Sequence, residues 1–199
     1  IPQTKGELIS ESSLFFPSTP YAVSKASIDL MSYMYAQSHG LRVTCARLFA
    51  TIGPRKIGDA VSDFAKGIIR IEKGEDTKVK VGNLSSVRDF SDVRDSARAL
   101  ELIASKGLPG EAYNIGSGQG QSLDDIMSLL IKISGIPVQV EVDQERLRPV
   151  DDHILVSDNS KLRGLGWKPE FTLEQTLSDT LDYWRSMHTD SKEGHHVRS

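Results

Sequence analysis

The sequence predicts an α/β fold built on parallel strands. Three observations carry that prediction. A helix-patterned segment closed by His39-Gly40 runs straight into an apolar, β-branched stretch, Leu41–Phe49. Amphipathic helical segments alternate with short strand-like runs along the whole chain. Residues that cap helices stand where those segments begin.

Taken in order, Thr19 suits an N-cap and Pro20 the first helical position, so a helix is expected from Pro20 to about Ser38. Ala22, Ala26, Leu30 and Met34, with Tyr33 beside them, form its expected inward stripe. Gly40 suits a left-handed stop. Leu41–Phe49 reads as a buried strand, and Ala50–Arg55 as the loop at its C-terminal end, the edge where open α/β sheets bind ligands. A helix over Asp59–Lys73 stops at Gly74, and Lys78–Val81 is a short strand. Arg88–Asp95 leads into a helix reaching about Ser105, capped by Ser91 or Asp92. Glu111–Ile115 is a strand, Gly116–Gly120 a loop, and Ser122 caps a helix to about Ser134. Pro137–Val142 alternates as a strand does. Ser157–Leu165 is a short helix closed by Gly166-Trp167, and Thr172 caps a last helix to about Met187. Thr189–Ser199 is polar and is expected to be a flexible tail.

The chain has 199 residues, 38% hydrophobic and 26% charged, with a net charge of -3. That balance suits a globular protein and gives no electrostatic reason to expect nucleic acid. No apolar run has the length of a membrane span. Cys45 is the one cysteine, which excludes an internal disulfide and fits a reducing cytoplasm. No signal-peptide pattern is present. The sequence opens Ile1-Pro2-Gln3 without an initiator Met, and its first sixteen residues are polar and turn-rich. The expectation is a chain entered in the middle, the C-terminal part of a longer protein.

Tyr21 and Lys25 stand four residues apart on the first helix. That spacing puts a phenol and an ammonium on one helical face. A phenol ordinarily holds its proton to about pH 10, so a tyrosine working as an acid/base near neutrality needs a cation close by. On spacing alone, an ordinary surface Tyr and Lys on an amphipathic helix is the better reading. Arg55, Lys66, Arg88, Arg146 and Arg148 are candidate anion contacts, three of them in loops or at element ends. Asp151-Asp152 follows Arg148 and could accept hydrogen bonds from ribose hydroxyls. Gly116-x-Gly118-x-Gly120 follows a strand, opens a helix and precedes Glu141, which resembles a dinucleotide fingerprint. Gln121 stands where the third glycine belongs, so a glycine-rich turn is the better reading. The five histidines show no metal spacing, and no metal site is expected. Trp167 and Trp184 read as packing residues.

The order of these segments resembles one family. Tyr21-Ala-Val-Ser-Lys25 is similar to the YxxxK motif of extended short-chain dehydrogenases/reductases, the NAD-dependent epimerase/dehydratase group. Arg47–Arg55, Val81-Gly-Asn-Leu84 with Arg88–Asp95, Tyr113–Gly118, Arg146–Pro149, Asp158–Leu162 and Gly166–Pro169 resemble the segments that follow it there. Ser62–Lys66, Val81–Leu84 and Arg148-Pro149 look most like the GDP-mannose 4,6-dehydratase and GDP-4-keto-6-deoxymannose reductase branch.

The resemblance implies the C-terminal part of an NAD(P)-binding Rossmann domain plus a small α/β substrate-binding domain. Residues 1–50 and 88–120 would belong to the first, and residues 51–87 and 121–188 mainly to the second. It implies Tyr21 as catalytic acid/base. Lys25 would ease the loss of the phenol's proton and hold the nicotinamide ribose of NAD or NADP, with Leu48 also on the cofactor side. Arg55, Lys66, Arg88, Arg148 and Asp151 would contact a nucleotide sugar, GDP-linked in the branch it resembles, and the family's frequent pairing through the YxxxK helix makes a homodimer one expectation. Ala50 stands where the family usually carries a substrate-contacting Asn. The family's glycine-rich cofactor loop and its catalytic Ser/Thr precede the YxxxK helix and are not among these residues. Two other readings stay open: a nucleotide-sugar-binding module without turnover, and an unrelated α/β protein that uses Gly116–Gly120 for a nucleotide.

Overall fold

The computed structural model of the chain describes residues 8–147 and 154–193. Arg148 and Asp151 lie outside the described residues. In chain order the elements begin α1 (Pro20–His39), β1 (Cys45–Leu48), β2 (Ala50–Ile52), α2 (Ala60–Glu72) and β3 (Lys78–Val81). They continue β4 (Val87–Asp92), α3 (Val93–Lys106), β5 (Ala112–Ile115), β6 (Gly120–Ser122) and α4 (Leu123–Ser134). The last are β7 (Gln139–Val142), a 3-10 turn (Gln144–Arg146), β8 (Ile154–Leu155), α5 (Ser160–Gly164) and α6 (Leu173–Glu193). Among the described residues no helix is long and apolar enough to cross a membrane.

The chain divides into two compact units, each assembled from three separate segments. Unit one holds the chain up to Thr51, Val87–Gly120 and Asp152–Glu170. Unit two holds Ile52–Ser86, Gln121–Asp151 and the chain from Phe171 on.

In unit one, Thr19 Oγ1 accepts the Ala22 N–H at 3.1 Å, and Gly40 closes α1 at φ 64°. The helix carries no buried residue, and the outer half of the expected stripe, Leu30, Tyr33 and Met34, faces outward. Leu30, Tyr33 and Met34 are 61%, 57% and 39% exposed. The more covered side keeps Ala22 and Ala26 of that stripe and continues through Asp29, Ser32 and Ala36. The cause is polar. Arg47 on β1 donates from Nε and Nη2 to the two Asp29 carboxylate oxygens, at 2.7 and 2.8 Å, and draws that side of the helix onto the strand. Counting apolar periodicity cannot see such a pair.

The long apolar run also differs from the expected strand. It pairs only over Cys45–Leu48, then resumes as β2 at Ala50. The chain changes partner at Phe49. β1 runs parallel to β5, with Cys45 opposite Ala112 and Leu48 opposite Ile115. β2 belongs to a sheet of order β2–β4–β6, in which β8 also pairs with β4. β4 and β8 are parallel, with Val87 opposite Ile154 and Arg88 opposite Leu155. Ala99 and Ile103 of α3, Tyr113 and Ile115 of β5, Leu162 of α5 and Trp167 form the core. Burying one such side chain contributes about 1.5–3 kcal/mol. The Trp167 indole N–H donates to the Asp95 carbonyl at 3.1 Å, so its polar atom is satisfied inside that core.

In unit two, Asp59 and Ser62 form a reciprocal capping box that starts α2 where the sequence places it. Phe64 and Ile68 of α2, Leu130 of α4, and Leu177 and Leu181 of α6 are buried, and these three helices pack on one another. β3 pairs in parallel with β7, Val79 opposite Val140. A Cβ on Gly67 would press on the Val79 side chain, so the glycine sets how closely α2 approaches β3. α6 continues past the expected end at Met187 to Glu193. Arg185 fastens it to α2, donating to both Glu72 oxygens at 3.0 and 2.6 Å.

Candidate active site

Tyr21 lies in the first turn of α1 and is 72% exposed. Lys25 follows one turn later, with Nζ 5.4 Å from the centroid of the Tyr21 ring. The structure thus brings the two together on an accessible face. Leu48, at the end of β1 in the same unit, is 48% exposed, so an apolar side chain is open at the C-terminal end of that strand. Arg88 is half-buried on β4, and its Nη1 donates to the Val87 carbonyl at 2.9 Å.

The residue after Arg88 organises this part of unit one. Asp89 is fully buried. Its Oδ1 accepts from Ser117 N–H at 2.6 Å and Ser117 Oγ at 2.5 Å. Its Oδ2 accepts from Gly118 N–H at 3.0 Å, Ser157 N–H at 3.0 Å and Ser157 Oγ at 2.5 Å. One carboxylate therefore ties β4 to the turn after β5 and to the segment after β8. Five donors offset the cost of burying its charge.

This arrangement also decides against a nucleotide at Gly116–Gly120. A Cβ on Gly116 would run into Ser157 Oγ and Asp89 Oδ2, and one on Gly120 into the side chains of Val156 and Val87. These glycines admit the chain's own side chains, whereas a fingerprint needs room for a pyrophosphate. Glu141, the acidic residue that completed the pattern, is ion-paired with Lys78.

In unit two, Arg55 is exposed in the loop after β2 and holds a left-handed backbone, φ 70°, unusual for a residue with a side chain. Lys66 is half-buried on α2, with Nζ 4.1 Å from the ring centroid of Trp184 on α6. Lys66 also lines a pocket of 190 Å³ with Asp63, Arg70, Lys78, Lys80 and Arg146. Arg70 and Arg146 are partly neutralised there by Asp76 and Asp143, each at 3.7 Å.

Three features escaped sequence reasoning. Asp89 looks solvent-facing in sequence, because nothing local reveals five distant donors. The Lys66–Trp184 contact joins helices far apart in the chain. The third is the polar wall of a 390 Å³ pocket in unit one, where Asp29, Cys45 and Arg47 meet. Burial pushes the Cys45 thiol up, and the Asp29 carboxylate that accepts its hydrogen bond at 3.0 Å pushes further, to about 12. Burial also works against the Asp29 charge, but the Arg47 guanidinium and the thiol outweigh it and hold the carboxyl below its usual range.

The fold and the Tyr-x-x-x-Lys pair define the class of the extended short-chain dehydrogenases/reductases that includes NAD-dependent epimerases and dehydratases. The sequence model of the family described as GDP-mannose 4,6 dehydratase matches residues 3–180, and the chain belongs to that family. The chain is 33% identical over 181 residues to GDP-6-deoxy-D-mannose reductase of Pseudomonas aeruginosa, covering 89% of this chain and 60% of that one. The structure of RMD from Pseudomonas aeruginosa complexed with NADPH superposes with a TM-score of 0.83 at 32% identity, over 90% of this chain and 59% of that one. UDP-glucose 4-epimerase of Thermotoga maritima with UDP-glucose gives 0.82 at 28% identity, over 94% of this chain and 60% of that one. The chain spans about 60% of the length of these relatives.

Proposed function

We propose that the whole protein is an NAD(P)-dependent dehydratase or reductase acting on a GDP-linked hexose. The observation that carries this reading is the accessible Tyr21–Lys25 pair in a chain that matches the family from residue 3 to 180. Unit one would form the cofactor side and unit two the substrate side.

The residues present suit a nicotinamide nucleotide. Lys25 offers three N–H donors to a ribose diol, and Leu48 offers an apolar surface to a flat ring. Bound NAD or NADP would supply the site that accepts or returns a hydride. Tyr21 would then manage the proton, its Oη taking it from a sugar hydroxyl during oxidation and returning it to the oxygen during reduction. Lys25 would favour the ionised phenol at the moment of transfer. Arg88 would present a guanidinium to the diphosphate, suited to paired hydrogen bonds. Arg55 and Lys66 would add positive charge on the substrate side, joined by Arg148, with Asp151 accepting from the nucleotide ribose. Met31, Met34 and Tyr35, all exposed on α1, support a homodimer in which a second copy covers them. A cytoplasmic location belongs to the same reading, supported by the lone thiol.

The test is Tyr21→Phe in the whole protein, with GDP-mannose as substrate. Turnover should fall by about 10²–10⁴-fold, the usual worth of a general acid/base. Affinity for GDP-mannose should stay within about twofold, since binding does not use the proton. Near-normal turnover sinks the acid/base role.

A further inference from the structure

We infer that Trp184 is a positioning residue for Lys66, holding its ammonium ready for the anionic part of the substrate. The inference rests on the proposed role of Lys66 as a substrate contact and adds a residue from the C-terminal helix to that role.

Lys66 lines the 190 Å³ pocket with four other cations, Arg70, Lys78, Lys80 and Arg146, against two carboxylates, Asp63 and Asp76, so positive charge is in excess there. Like charges crowded in this way repel one another, and a free lysine would swing away into water. The partners of its neighbours are visible. Arg70 faces Asp76, Lys78 pairs with Glu141, and Arg146 faces Asp143. Lys66 has a different anchor. Its Nζ rests over the indole of Trp184, whose negative π face attracts a cation without neutralising it. A carboxylate there would cancel the charge a phosphate needs. The ring keeps the charge and restricts the side chain.

Trp184 is itself held. Tyr183 meets it edge-on, with ring centroids 5.0 Å apart and planes at 74°. Its neighbour Arg185 bonds both oxygens of Glu72 on the helix that carries Lys66. The buried indole N–H has no hydrogen-bond partner among the described residues. A lysine loses much rotamer freedom when it binds an anion. Ordering it beforehand on an aromatic face removes part of that cost from the binding step.

The experiment is calorimetric titration of the whole protein with GDP-mannose, in a double-mutant cycle. Trp184→Leu should weaken binding by about three- to tenfold, the range for a partly exposed cation–π contact. Trp184→Phe, which keeps a π face, should recover most of the loss. In a Lys66→Met background, Trp184→Leu should change nothing further. Additive losses in that background overturn the positioning role while leaving Lys66 as a contact. Unchanged affinity for Lys66→Met alone overturns the substrate role of Lys66 and this inference with it. Thermal melts separate the two kinds of effect. A merely structural tryptophan would lower the melting temperature of both Trp184 variants alike, with no dependence on Lys66.

Discussion

Replacing Asp89 by Asn changes one oxygen into NH2 and almost nothing in size, so it isolates what the carboxylate does. The amide has one acceptor where five donors converge. With NH2 at the Oδ1 position, the Ser117 backbone N–H faces another donor. With NH2 at the Oδ2 position, the Gly118 and Ser157 N–H groups do. The serine hydroxyls can turn round and accept, but the backbone cannot. At least one buried N–H is therefore orphaned, at about 1–3 kcal/mol. The remaining bonds lose their ionic character, roughly 1 kcal/mol each. Removing a buried charge offsets part of this, and a net loss of about 2–4 kcal/mol remains. For a chain of this size that corresponds to a drop of about 5–15 °C in melting temperature. Ser117→Ala deletes a single hydroxyl donor and should cost only about 1 kcal/mol. Differential scanning calorimetry of the three proteins checks the order. A melting temperature for Asp89→Asn within about 2 °C of the parent would refute the idea that this carboxylate joins the three segments.

Cys45 should resist alkylation. At pH 9 its reaction with iodoacetamide is expected to be two to three orders of magnitude slower than that of a free thiol, roughly in proportion to its thiolate fraction. Asp29→Asn should speed it, and an unchanged rate would contradict the role given to that carboxylate. The sign for stability follows from the same shift. A thiol whose pKa is raised on folding contributes stability that is complete below its ordinary pKa and is lost as pH climbs towards about 12. Arg185→Met should cost about 1–2 kcal/mol in urea denaturation, because it leaves the half-buried Glu72 without its guanidinium. An unaltered midpoint would mean α6 is held to α2 by apolar packing alone.

Features written in short-range chemistry were readable from sequence. Asp59, Asp92, Ser122 and Thr19 cap helices through their own side chains, so their positions can be found within a few residues. Lys78–Val81 alternates and appears as a strand. The strands β4, β6 and β8 were not readable. β4 buries four successive residues, Asp89–Asp92, three of them polar, and β6 and β8 are too short to show a period. Their existence depends on partners elsewhere in the chain. The site divides along the same line. Tyr21 and Lys25 meet because four residues make one helical turn, whereas Asp89 and Trp184 act through contacts that only the folded chain creates.

The interleaving of the two units constrains how the protein can be made. Asp89 and Ser157 are 68 residues apart. On a ribosome adding about 5–20 residues per second, that interval lasts roughly 3–14 s. Throughout it, the Asp89 charge has only the later-arriving turn at Ser117 and Gly118 to bond, and water is its remaining partner. Unit one can close only after the second segment of unit two has already emerged. Each unit must therefore wait, partly open, for a piece of chain threaded through the other's turn in synthesis, and its exposed strand edges are most vulnerable to wrong pairing during that wait.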